Sequence, residues 1–482
     1  MKAHLRVSAR SVRGTRLAQR PGRVHLAAFG LIAIAATTKI PTLAQPLTEN
    51  FAWRQTQTAW TALIYHREGI DLLHPQVPVH GPPWVFGYEL PLFQAIGALI
   101  MDLGIPPDLA MRTLGLITFL ATGWLVYLLL ARLGGNVAAI VALAAFLFSP
   151  FGLLWGRTSL IEYLATAAAL AFLLAGVRWL DSRRAADYGI AMAAGVVAML
   201  VKITTGAFYL LPLLAYRPRS RWIGRGEWPV LALVAIPAIF GRLWIAYTDW
   251  LKAGSPPTRF QTSGALTDVT FGSLEMRLDP EFLLPIAAAI LLGLSGAGLM
   301  IWAPAAVAQL RKLPQGPMLA ALLLLVVLGP PLVLTPLYGT QNYYPAAISP
   351  AVAMLVGLGA AWAWGRRHAL IGRFALVGGA ALWIVAVIVT RDLWLMSYVP
   401  VVDRDGSLEA AAYIRERTHP GDWVVVAGRG WDPTVLYYAD RRGYMLDERR
   451  GSVDDLDQLR RDDRYTLFVE CPYQGVCTEM SP

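Results

Sequence analysis

Apolar runs of about twenty residues recur along the whole chain, and they decide what it can fold into. They fall at 24–40, 113–130, 137–151, 160–177, 188–203, 208–214, 229–247, 282–301, 318–337, 346–364 and 374–394. In hydrocarbon every backbone N–H and C=O must find a partner within the chain, which leaves only helices and closed barrels. A barrel needs alternating apolar and polar residues. Stretches such as 320–335, AALLLLVVLGPPLVLT, show no alternation. Only 15% of the 482 residues are charged, against about 25% in an ordinary soluble domain. The sequence therefore reads as a polytopic α-helical membrane protein of about eleven spans.

Charge sets the orientation. The tail 1–23 carries Lys2, Arg6, Arg10, Arg13, Arg16, Arg20 and Arg23 and no acid, which places it in the cytoplasm. A cleaved signal peptide is the rival reading, but no small-residue cleavage site leads into a soluble domain. Further basic clusters lie at 178–184, 217–225, 311–312 and 366–373. Putting all four in the cytoplasm gives a consistent alternation if 208–214 crosses and 90–104 is a re-entrant or juxtamembrane helix. The membrane domain is then 24–398, and its long loop 44–111 and the tail 399–482 face outward from the cell (inner) membrane. The net charge of +10 is topogenic on this reading; the partners are membrane lipids, and nucleic acid is not among them.

After Tyr398 the composition turns polar. Residues 403–482 read as helix, strand, helix, short strand, helix and strand, with 424–426 and 467–469 as buried parallel strands. This is a small soluble α/β domain with no Gly-rich phosphate loop, and a cap over the membrane site is its plainest role. Ser452 followed by Asp455 resembles a capping box. Cys471 and Cys477 are the only cysteines, and on the outer face they are candidates for a local disulfide.

Ionisable residues inside apolar spans are costly, so each is a candidate for function. Lys39, Glu162, Lys202 and Arg242 stand out, and the topology brings all four toward the outer face. Snorkelling is the plainer account of Lys39. Glu162, which is too short to snorkel, has Arg157 just upstream as a partner. The outer loop adds Glu49, Arg54 and Glu89. Arg54 lies in WRQTQTAW, which suits a short interfacial helix, and its planar fork can grip a phosphate or simply hold the loop by a salt bridge. Gln341, Tyr343, Tyr344 and Trp84 sit in Pro- and aromatic-rich loops that could stack on a sugar or form an interfacial belt. The histidines have no zinc spacing, and a divalent metal on Glu49, His66 or Asp71 is a weak alternative.

These segments, in their order, resemble the GT-C class of polyprenyl-phosphate-sugar glycosyltransferases, in particular glycosyltransferase family 39 with its protein mannosyltransferase and aminoarabinose transferase branch. AWRQTQTAW follows the first span, and GYELPLFQAIGALIMDLGIPPDLAMRTLGL is similar to the family's E-K-P-P-L…G…R stretch. SPFGLLWGRTSLIEYLATAAALAF resembles the R…L-D…F segment, with Glu162 at the acidic position. VAMLVKITTGAF resembles the L-T-K-G-P turn through Lys202, and QNYYPAAISPAVAML the later tyrosine-bearing segment. The chain departs from the pattern in the first outer loop, where no Asp precedes Arg54 and one alignment puts Gln57 at the acidic position. Leu90 replaces the family's lysine.

The resemblance implies transfer of a sugar from a polyprenyl-phosphate donor to a glycan, lipid or protein acceptor, with inversion. It implies Glu49 as base, Glu162 as a second carboxylate, and Arg54, Lys202 and Arg242 as cations for the departing phosphate. Glu89, Gln341, Tyr343 and Tyr344 complete the expected substrate site. A transporter or lipid flippase is the rival class, but the chain has no internal repeat and its charges gather at one face. A catalytically silent relative is the third reading.

Overall fold

The computed structural model describes residues 21–216, 228–295, 298–395, 398, 403, 405–446 and 453–480. The basic tail 1–20, the basic loop 217–225, the junction at 399 and Ser452 lie outside the described residues.

The first half of the chain runs α1 (Pro21–Lys39), α2 (Ala52–Glu68), α3 (Leu92–Met101), α4 (Pro107–Leu133), α5 (Asn136–Phe148), α6 (Pro150–Trp155), α7 (Glu162–Ser182), α8 (Ala185–Val201), α9 (Ile203–Leu210) and α10 (Trp228–Ala253). Local sequence sets these limits. Pro107 begins α4 where its missing N–H costs no helical bond. Gly69, at φ 98°, ends α2 in a conformation that side chains disfavour. The outer loop is thus partly helical, with α2 at WRQTQTAW and α3 inside 90–104.

Among the described residues six helices are long and apolar enough to cross a membrane: Gly22–Thr42, Pro107–Leu133, Glu162–Ser182, Trp228–Ala253, Gly316–Val333 and Leu370–Val389. The pair Pro280–Leu294 and Leu299–Leu310, bent by 78°, has the geometry of either a broken span, which would make seven, or a re-entrant loop. This is fewer than the eleven expected. The remaining apolar runs fold as the shorter helices Asn136–Phe148, Ala185–Val201, Ile203–Ala215 and Ser349–Trp364. The chain itself interrupts them: Pro150 starts a new helix after Ser149, and Lys202 is extended between α8 and α9. A 13-residue helix covers ~20 Å, short of a ~30 Å hydrocarbon core.

Outward faces carry apolar side chains, as lipid requires. Leu231, Ile239 and Leu243 on α10, and Leu370, Phe374 and Val377 on the last long helix, are all exposed. Inside, α4, α5, α7 and Ser349–Trp364 share one buried core, where the rings of Phe119, Phe146 and Tyr163 meet. The chain is an integral membrane protein.

The C-terminal part is a small α/β unit. Its strands β1 (Trp423–Ala427), β2 (Gly443–Met445), β3 (Tyr465–Glu470) and β4 (Thr478–Glu479) lie in the order β2-β1-β3-β4. β1 is parallel to both neighbours, and β4, too short to read in sequence, returns antiparallel after the Cys471–Cys477 disulfide. The outer loop extends this sheet: Gly443 N donates to Pro78 O at 3.2 Å and Met445 N to Val79 O at 2.8 Å. Tyr437 and Tyr438 both donate to Asp108, at 2.7 and 2.9 Å, and Thr56 bonds Thr434 at 3.0 Å. The unit therefore clasps the outer loop and the start of α4. Sandwiched this way, α2 can bury Gln55, Thr56, Gln57 and Thr58 because each has a polar partner.

Candidate active site

Two charged clusters meet at the end of the helical bundle that the outer loop covers. The first is built around Glu49. Arg112, one turn into α4, donates to its Oε1 at 2.6 Å, and Arg157 donates to Oε2 at 2.8 Å. Arg112 also caps the carbonyls of Gln45 and Pro46. Both arginine side chains are 0% exposed and the Glu49 side chain 6%. Burial, with Arg112 close by, pushes the Arg157 guanidinium down to about 10, and Glu49 opposes that shift. Gly115 lets this happen, since a Cβ there would sit 2.2 Å from Thr158 O, beside Arg157. Lys39 completes the neighbourhood. Its Nζ donates to Gly152 O at 2.9 Å, Leu153 O at 3.0 Å and Tyr398 Oη at 3.3 Å.

The second cluster draws on six separate segments. Lys202, at the α8–α9 break, donates to Glu162 Oε1 at 2.5 Å. Glu162 stands in the first turn of α7, which suits its charge, whereas Lys202 both ends α8 and begins α9, so the two helix ends oppose each other there. Glu162 Oε2 is buried with no hydrogen-bond partner among the described residues. The ring of Tyr344 lies 4.5 Å from Lys202 Nζ and that of Tyr343 5.5 Å. Tyr343 Oη in turn donates to Gln341 at 2.6 Å. From α2, Arg54 donates to Gln57 at 2.7 Å and to Glu89 Oε1 at 2.7 Å. A backbone bond from Leu90 N to Leu200 O, 2.9 Å, ties the Glu89 segment to the Lys202 segment. Lys252, over the ring of Tyr88 at 4.7 Å, adds a third cation near Glu89.

Electrostatics distinguish the acids. Burial works to raise Glu89, but the charges of Arg54 and Lys202 and the Arg54 hydrogen bond outweigh it and hold the carboxyl below its ordinary value. Burial likewise opposes the Arg54 charge, and Glu89 with Tyr343 and Glu162 overcomes it and pushes that pKa up. Glu89 is the most accessible of the three carboxylates, with its side chain 21% exposed against 6% for Glu49 and 1% for Glu162. It opens onto a small cleft shared with Arg54, Gln57, Thr58, Tyr88 and Gln94.

The structure thus brings together Arg54, Glu89, Glu162, Lys202, Gln341, Tyr343 and Tyr344, and corrects several pairings. Glu49, the expected base, accepts one bond from a buried guanidinium on each oxygen and stands apart from the Lys202–Glu162 pair. Arg157 pairs with Glu49, while Glu162 pairs with Lys202. Lys39 points inward and is wholly buried, so it does not snorkel. Arg242 stays out of both clusters, exposed on the outer face of α10. Arg112 and Lys252 enter unforeseen, and Gln57, noted only as an alignment position, enters as a partner of Arg54; for Arg112 the available signal was an arginine at the edge of a long apolar run. Among the described residues no three His, Cys, Asp or Glu side chains gather as metal ligands, and His66 and Asp71 bind Asp102 and His74 instead.

Residues 83–244 match the family model of dolichyl-phosphate-mannose-protein mannosyltransferases. Among curated proteins, none matches the sequence. Among solved structures the chain is similar to ArnT from Cupriavidus metallidurans bound to undecaprenyl phosphate, with TM-score 0.62, 15% identity and 93% of each chain covered. It is also similar to the archaeal oligosaccharyltransferase AglB from Archaeoglobus fulgidus, in complex with an inhibitory peptide and a dolichol-phosphate. There the TM-score is 0.58 and the identity 13%, over 93% of this chain and 69% of that one. Arabinofuranosyltransferase AftD from Mycobacteria follows, with TM-score 0.53 and 19% identity over 93% of this chain and 36% of that one. The fold is that of the GT-C glycosyltransferases. Glu89, Arg112, Arg157, Glu162 and Lys202 lie within the matched residues 83–244, whereas Lys39, Glu49, Arg54, Gln341, Tyr343 and Tyr344 lie outside them.

Proposed function

We propose that the chain is a membrane glycosyltransferase that moves a sugar from a polyprenyl-phosphate donor to an acceptor on the outer face, with inversion. The observation that carries this reading is the convergence of Arg54, Glu89, Glu162 and Lys202 with Tyr343 and Tyr344 beneath the outer loop. Cations paired to carboxylates in a partly dry site suit both charges of the reaction. Lys202 and Arg54 receive the negative charge that collects on the departing lipid phosphate. Glu89, ionised and reachable from the cleft, takes the proton of the attacking hydroxyl or amine. Glu162, held by Lys202, presents its second oxygen to sugar hydroxyls, and Tyr343 and Tyr344 offer ring faces to the sugar. The Glu49–Arg112–Arg157 cluster fixes the loop that carries Arg54.

The reading extends to topology. About eleven crossings, with the N-terminus cytoplasmic and the C-terminal unit outside the inner membrane, let the shorter helices complete the bundle. The test of function is donor turnover. Purified protein in lipid is given radiolabelled polyprenyl-phosphate sugars, including the mannosyl form named by the family match, and free lipid phosphate is counted. Release that Glu89→Gln abolishes supports the proposal. Absence of release across mannose, aminoarabinose and arabinofuranose donors goes against it. Thiol labelling at positions in successive loops checks the crossings.

A further inference from the structure

A second cleft opens between α2 and the C-terminal unit, away from the charged clusters. It encloses about 530 Å³, within the ~300–1,000 Å³ range usual for organic ligands. Trp60, Ile64, Arg67 and Glu68 line it from α2, and 420–423 and 440–442 line it from the C-terminal unit. Its mouth is open to water: the side chains of Arg67, Glu68 and Asp440 are 51%, 47% and 45% exposed. No step of the transfer described above uses it.

Its chemistry points to one class of ligand. Three cations (Arg67, Arg441, Arg442) face three carboxylates (Glu68, Asp422, Asp440), so the lining is electrically balanced. The charges are also committed to one another. Arg67 grips Asp440 through two bonds, at 2.7 and 3.0 Å, and Arg442 pairs with Glu68. Arg441 is spent on Thr418, through Oγ1 and the carbonyl, both at 2.9 Å. A phosphate or a polyanion therefore finds no surplus positive charge here. A hydroxyl-rich neutral molecule finds alternating donors and acceptors, and each of its hydroxyls can act as both. Trp423 adds an indole wall, held by Trp84 and Tyr465 edge-on and by Arg464 at 4.3 Å. An aromatic wall beside paired charged groups matches a sugar ring, which has an apolar face and a polar rim.

Placement supplies the role. Trp60 and Ile64 follow Arg54 on the same helix by six and ten residues, which is ~9–15 Å along the axis. The cleft and the transfer site are thus presented by adjoining faces of one helix, within reach of a single chain molecule.

Resting on the transferase reading, we propose that this cleft holds the acceptor, and that the acceptor is a neutral oligosaccharide chain gripped some units behind the end being extended. The probes are neutral tri- to hexasaccharides of mannose, glucose, galactose and arabinose, with oligogalacturonates of equal length as the anionic control. Binding to the full-length purified protein is read by calorimetry and tryptophan fluorescence. One neutral series binds, tighter as the chain lengthens, and the anionic control binds at least about tenfold more weakly, a gap easily read as a ratio of Kd values. Trp423→Ala weakens binding by about tenfold or more. Glu68→Trp, which plugs the mouth from an exposed helix end without touching the core, does the same, and both variants still bind undecaprenyl phosphate.

The proposal is overturned if no neutral series binds, if the oligogalacturonates bind as well, or if both variants bind like the parent. The two readings fail separately. Donor turnover without oligosaccharide binding removes the cleft and leaves the transferase. Oligosaccharide binding without donor binding or turnover leaves a glycan site on a chain that is not this enzyme.

Discussion

Replacing Glu49 by Gln separates an anchoring carboxylate from a catalytic one. In the structure its two oxygens neutralise Arg112 and Arg157, whose side chains are 0% exposed. Gln keeps the shape and one acceptor oxygen but removes the charge, leaving two buried guanidinium groups facing each other. Breaking a buried ion pair from one side costs about 3–5 kcal/mol, and the surviving amide oxygen places this variant toward the lower end of that range. With about 2 cal/mol/K of unfolding entropy per residue, a chain of this length shifts by about 1 °C per kcal/mol, so the midpoint of thermal unfolding falls by ~3–4 °C. Tryptophan fluorescence during heating of the purified protein measures the shift, and donor turnover well below the midpoint measures activity. The expected result is a clear loss of stability with most turnover per folded molecule retained. An unchanged midpoint with turnover down by ~10²–10⁴, the usual weight of a general base, would refute the anchoring assignment and return Glu49 to catalysis.

Lys202→Met strands the buried Glu162 carboxylate and destabilises the protein by about 3–5 kcal/mol; adding Glu162→Gln recovers much of that loss, as read by thermal unfolding, while neither variant turns over donor. Glu89 binds protons less readily folded than unfolded, so its share of stability is present above pH ~4.5 and is lost as pH falls through its lower folded value. Unfolding midpoints measured from pH 6 down to pH ~3.5 therefore fall less steeply in Glu89→Gln than in the parent. Gly115→Ala drives a methyl against Thr158 O, 2.2 Å from the added carbon, and costs about 1–3 kcal/mol. Its thermal midpoint drops, and an unaltered one would mean that α4 does not press on the Arg157 segment.

The membrane class was legible in the sequence because hydrocarbon leaves the backbone few options, and runs such as 320–335 answer only to a helix. Four of the charged residues singled out there, Arg54, Glu89, Glu162 and Lys202, meet in one place because a buried charge is tolerated only with a partner. Which partner was not legible. Arg157 and Glu162 are five residues apart, yet Arg157 reaches across to Glu49, and Glu162 to a lysine forty positions on. Lys39 and Arg242 show the same gap from opposite sides. Composition gives each a long cationic side chain in an apolar helix, but only packing decides that Lys39 turns in to the carbonyls of α6 and Arg242 turns out. Helix length alone does not reach eleven crossings, because the breaks at Pro150 and Lys202, which hydropathy does not register, divide apolar runs into shorter helices. The second tryptophan-lined cleft is a product of docking, with α2 supplying one wall and β1 the other.

The most direct test is a structure of the protein with undecaprenyl phosphate bound. The phosphate is expected within hydrogen-bond distance of Arg54 or Lys202, with Tyr343 and Tyr344 beside it. A phosphate seated instead at the basic loop 366–373, remote from both residues, would contradict the assignment of the Arg54–Glu89–Lys202 cluster as the transfer site.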